Sequence, residues 1–299
     1  MSDEHNAYDA IMSADDDERH WAFGTGFDDP LSGVDRSIPS HVESVDLVAY
    51  CLMLADDALV LAQRLAEWCS HAPELEEDVA LANIALDLLG QSRLLLSRAG
   101  EVEGAGRDED ALAYLRDEHE FRNVRLVEID CGPGPGGDFA TTTARLLVFA
   151  TWRLALMSQL AASVDPVLAA IAAKGVKELA YHRDHAAQWT LRLAGGTDYS
   201  RERMIAGLAR VWPLVPELFD SHEIEERLPG VAVDPATVRA EVDEVLDTVF
   251  TAAGLDRPEV GRLAAVAGRT GRDGVHTEEL GYVLAELQHV ARALPGATW

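Results

Sequence analysis

The chain has 299 residues, 48% of them hydrophobic, and carries 52 Asp and Glu against 25 Lys and Arg, a net charge of −27. That is ample chain for one large or two small buried cores, and so negative a surface repels phosphate backbones, which argues against nucleic-acid binding. Only two of the cations are lysines, Lys174 and Lys177, a composition expected of a halophilic protein whose self-repulsion is screened by high salt.

In chain order, the N-terminus lacks the basic and apolar regions of a signal peptide. Residues 1–40 hold ten acids against two arginines, include the run Asp15-Asp16-Asp17-Glu18, and show no periodicity; they read as a disordered acidic arm. Residues 42–70 lack Gly and Pro and are apolar almost all round, which predicts a central helix. Pro73 and the acids Glu74, Glu76, Glu77 and Asp78 suit the start of a second helix, expected to stop at Gly100. A shorter helix is predicted over 112–123. The loop 131–137 is glycine-rich but lacks the GK[ST] ending of a phosphate loop. A third long helix covers 139–162; Arg145 and Arg153 within it argue against a membrane span. Asp165 as N-cap and Pro166 at the first position start a fourth, ended by Gly195-Gly196. Further helices are predicted over 201–219, 235–253, 257–267 and 277–294. No strand pattern or repeat appears. Two helix–turn–helix pairs joined by one long connection predict an all-α, ferritin-like four-helix bundle over 41–299 with additional C-terminal helices. Three cysteines, Cys51, Cys69 and Cys131, are too few for a disulfide framework and suit a reducing cytoplasm.

Ferritin-like carboxylate proteins hold two metal ions with one Glu from each of two helices and a Glu-x-x-His pair from each of the other two. The matching positions here are Asp57, Asp87 and Glu178, with Gly90 and Tyr181 where histidines belong, and no acid near Ala144 on the third helix. His182 and His185 follow Glu178 at i+4 and i+7, the wrong spacing for the motif. Too few ligands remain for a di-iron site. The expected structure is a remnant polar seam of Asp57, Asp87, Glu178 and Tyr181, with Arg64, Arg145, Lys174 and Lys177 as candidate charge partners. Cys69 and His71 lie close in sequence, but no oxyanion motif accompanies them. Thr277 is placed as the N-cap of the last helix. Arg262, Arg269 and Arg272 form the most basic segment, a candidate contact for an anion or a partner's acids.

The long run from Gln63 to Gln91 resembles the C subunits of the bacterial phenylacetyl-CoA epoxidases. The likeness continues through Asp117–Val124, Lys177–His182, Gly230–Pro235, His276–Gly281, Leu284–Gln288 and the tail ending at Trp299. It spans nearly all of 45–299. The resemblance implies a structural subunit without a catalytic centre, paired with the homologous catalytic A subunit that holds the di-iron centre. It further implies a reductase carrying electrons from NADPH through flavin and iron–sulfur groups, and a 1,2-epoxide of phenylacetyl-CoA as product. A self-sufficient metalloenzyme using Asp57, Asp87, Glu178 and His182 is the alternative.

Overall fold

The computed structural model describes residues 31–134 and 137–297, and the described residues are helical with irregular connections. Helix α1 (Ser44–Ala66) turns through residues 67–74 into the antiparallel α2 (Leu75–Glu103). The short α3 (Glu109–Tyr114) and two 3-10 turns, Glu118–Glu120 and Arg125–Glu128, lie in the long crossover to α4 (Phe139–Leu160). Helix α4 pairs with α5 (Pro166–Gly195). This arrangement is the ferritin-like bundle. Helix α6 (Asp198–Val211) packs on α4, α7 (Glu223–Glu226) touches α1, and α8 (Arg239–Ala253) closes against α4 and α5. The last helix, α9 (Glu278–Ala293), lies over α1, α3 and the crossover.

Local chemistry sets these boundaries. Asp165 begins α5: its Oδ1 accepts from the Val167 and Leu168 amides at 3.0 and 2.9 Å, ahead of Pro166 in the first turn. Its other oxygen accepts from Arg98 at 2.6 Å, so the same carboxylate ties the second hairpin to the first. Asp138 caps α4 through the Thr141 amide. Helices α1 and α4 are buried along nearly their whole length, which is why they are apolar on every face. Their leucines, valines and aromatics form most of the core, each fully buried side chain contributing about 1.5–3 kcal/mol.

Three boundaries differ from the sequence reading. Gly100 does not stop α2. It lies inside the helix because a Cβ there would meet the Arg107 carbonyl oxygen at 2.2 Å; the helix ends at Gly104, with φ +66°. Residues 257–267 are not helical; the Leu263 amide donates to Pro213 and the Ala264 carbonyl accepts from Arg125. The packed chain also begins earlier than residue 41. Leu31 is buried, Val34 and Ile38 pack on the core, and the Arg36 carbonyl accepts from Arg98 at 2.7 Å. The rest of the predicted acidic arm, residues 1–30, lies outside the described residues.

Candidate functional site

A polar line crosses the bundle where a ferritin-like protein carries its metals. On α1, the fully buried Asp57 accepts from Arg272 on both carboxylate oxygens, at 3.0 and 2.9 Å, and from the Val124 amide at 2.8 Å. Arg153 of α4 stands 3.8 Å from the same carboxylate, donates to the Leu54 carbonyl, and reaches Gln91 of α2 at 3.2 Å. Gln91 donates to Glu178 of α5 at 3.1 Å, and Lys174 one turn away meets Glu178 at 3.1 Å. Gly175 lets this pair of helices close, since a Cβ there would stand 3.4 Å from the Gln91 amide. Next to this line, Asp87 accepts from or donates to His182 Nε2 at 3.0 Å according to protonation.

The electrostatics follow from burial. Burial holds Asp57 above the usual carboxylate range, against the pull of Arg272 and Arg153. Burial pushes Arg153 down to about 10, although Asp57 opposes it. Asp57 is thus spent on a guanidinium fork and a main-chain amide, and Glu178 on an ammonium and a side-chain amide. A divalent ion at this depth would meet Arg153 instead of a free oxygen donor. Among the described residues no three His, Cys, Asp or Glu side chains converge as metal ligands. The donor set does not fit a di-iron centre.

The structure brings together Asp87 with His182, and joins Glu178 to Asp57 through Gln91 and Arg153. It does not bring in Tyr181, which is 56% exposed: one residue before His182 on α5, it is turned about 100° away and points to solvent. Arg64 and Arg145 do not serve this line either. Arg64 donates to the Glu128 carbonyl and to Glu67, and Arg145 donates to the Ile129 carbonyl at 2.7 Å. The predicted cluster of Arg262, Arg269 and Arg272 is dispersed. Arg272 is buried on Asp57, Arg262 pairs with Asp220 at the surface, and Arg269 sits in an exposed turn closed by a bridge to Val266. His71 accepts or donates at the Cys69 carbonyl, so it forms no dyad with that thiol.

A second buried ionic group was not legible from spacing. His276 places Nδ1 2.7 Å from Glu128 and Nε2 3.0 Å from the Phe121 carbonyl, with both side chains fully enclosed. Both ring nitrogens face acceptors, which requires the imidazolium for both bonds to form. Burial alone would push this imidazole down; Glu128 and the Phe121 carbonyl outweigh it and hold His276 above its ordinary value. Glu128 also accepts from the Thr277 amide and hydroxyl and from Asn123. The Thr277 hydroxyl is therefore engaged by Glu128 and does not cap α9.

Residues 34–299 match the sequence profile of the family described as Phenylacetic acid catabolic protein. The chain belongs to that family. It is 48% identical over 256 residues to the C subunit of the 1,2-phenylacetyl-CoA epoxidase of Escherichia coli strain K12, a match spanning 85% of this chain and 99% of that protein.

Proposed function

We propose that this chain is the non-catalytic, structural subunit of a multicomponent di-iron oxygenase that epoxidises the ring of phenylacetyl-CoA in aerobic phenylacetate catabolism. In this reading it pairs with the homologous catalytic A subunit, which carries the di-iron centre, and a separate reductase supplies electrons from NADPH through flavin and iron–sulfur groups. The kinship to an epoxidase C subunit supports the pathway and the subunit role. The observation that carries the non-catalytic part is Arg153: a guanidinium reaches both Asp57 and Gln91 at the depth where metal ligands would converge. A fixed internal cation supplies positive charge without an open coordination site, so it stabilises the bundle and offers dioxygen nothing to bind.

The test is elemental analysis of the chain purified alone after expression in iron-rich medium. Far less than one iron per chain is expected. Two tightly held irons per chain would establish instead the self-sufficient metalloenzyme built on Asp57, Asp87, Glu178 and His182.

A further inference from the structure

Helix α2 is unlike the other surface helices. It is long and apolar enough to cross a membrane by length and composition, with a mean hydropathy of 1.4 over its most apolar eighteen residues, yet only 44% of that stretch is buried. Leu75, Val79 and Leu86, spaced four and seven residues apart and so on one face, are 75%, 54% and 63% exposed. In a chain with 52 acids this face has another use than solvation. Beside it lies a groove of about 350 Å³. Its walls are Ala62 and Ala66 of α1, Ala82, Leu86 and Leu89 of α2, and Leu287 of α9, and no charged side chain lines it.

The rim is acidic. Asp110 acts on Tyr114, a groove residue, and helps to push that phenol up after burial does so. Glu286, next to Leu287 on α9, is exposed. The floor therefore suits a bulky apolar side chain and the rim suits cations beside it. A second copy of this chain would bring another −27 net charge to the contact and set acid against acid.

We infer that the groove between α1, α2 and α9 is a docking site for another subunit of the same epoxidase, which inserts an apolar helix flanked by Arg or Lys. This rests on the subunit reading above and adds where the contact lies and what chemistry meets it. Leu86 would be its centre, because it is both exposed in the free chain and part of the groove wall.

The experiment co-expresses the full chain with the other epoxidase subunits and measures how much of them a tag on this chain captures. Leu86→Asp buries an unpaired carboxylate in the contact and is expected to lower capture about tenfold or more. Glu286→Arg places a cation opposite the partner's cations and is expected to lower it several-fold. Tyr199→Asp, at a position on α6 that is 69% exposed, is expected to leave capture unchanged. Circular dichroism and melting temperature should match the wild type for all three, since all three positions are exposed. Capture by Leu86→Asp at the wild-type level overturns the docking site and leaves the subunit reading standing. Failure of the wild-type chain to capture any of the other subunits overturns both. A homodimer broken by Leu86→Asp while capture of the other subunits persists, or retention on phosphatidylcholine vesicles in place of that capture, also overturns it.

Discussion

Replacing Arg272 by Met removes the fork that holds Asp57. The substitution keeps most of the side-chain volume and deletes both charge-assisted bonds to the carboxylate. It also strips the donor from the Met53 and Arg122 carbonyls, bonded at 2.9 and 2.8 Å. Breaking a buried ion pair by removing one partner costs about 3–5 kcal/mol, because the other charge is left uncompensated. Arg153 at 3.8 Å and the Val124 amide soften that cost without abolishing it. A loss of about 4 kcal/mol is therefore expected for Arg272→Met, and a similar loss for Asp57→Leu. The double variant Asp57→Leu/Arg272→Met leaves no uncompensated carboxylate, so its loss should fall below the sum of the two by about 3 kcal/mol. Urea unfolding followed by far-ultraviolet circular dichroism, at one KCl concentration, gives all three values. A single-variant loss below about 1 kcal/mol, or strict additivity of the pair, would refute the claim that this ion pair holds the crossover to α1.

His276 binds its proton more tightly when folded, so its stabilising share is complete below its unfolded value near 6.5 and is lost as pH rises through the folded value. The unfolding free energy of the wild type should fall above about pH 6.5, and His276→Ala should lose that component of the slope. Burial pushes Glu225 up to about 7, so the folded chain resists its ionisation and stability is lost as pH rises from the carboxylate range to that value. Glu225→Gln, which retains an acceptor for the His222 amide, should be about 1–3 kcal/mol more stable than the wild type at pH 8 and no more stable at pH 4; equal stability at pH 8 would contradict this. The net charge of −27 predicts a melting temperature that rises from dilute buffer to molar KCl, where the Debye length shrinks to about 3 Å; a flat or falling series would reject the halophilic reading of the composition.

The helices that build the bundle were legible because their signals are local. Asp165-Pro166 and Asp138-Phe139 mark starts within two residues, and α1 and α4 are apolar all round because they are enclosed all round. Gly100 misled because its reason for being glycine is tertiary: the Arg107 carbonyl rests against it. The stretch 257–267 carries apolar residues at helical spacing, yet Val260, Leu263 and Val266 are exposed and the backbone bonds go to other segments. At the site, spacing identified Asp57, Asp87, Glu178 and His182 as residues of the bundle interior or its edge. It did not identify Arg153 as the group between them, since an arginine in an apolar helix carries no sign of its partner. Nor did it find Arg272, which reaches Asp57 from 215 residues further along the chain. Tyr181 and His182 differ by one residue in sequence and by a face of the helix in space.

The central claim is that this chain supports chemistry performed in another subunit. It is tested most directly by assembling the epoxidase with Asp87→Asn/Glu178→Gln in this chain, a pair of isosteric changes that removes two carboxylates any metal site here would need. Substrate turnover per iron in the assembled complex should stay within about twofold of the wild type. A loss of turnover together with loss of iron would place the reacting metal in this chain and contradict the account.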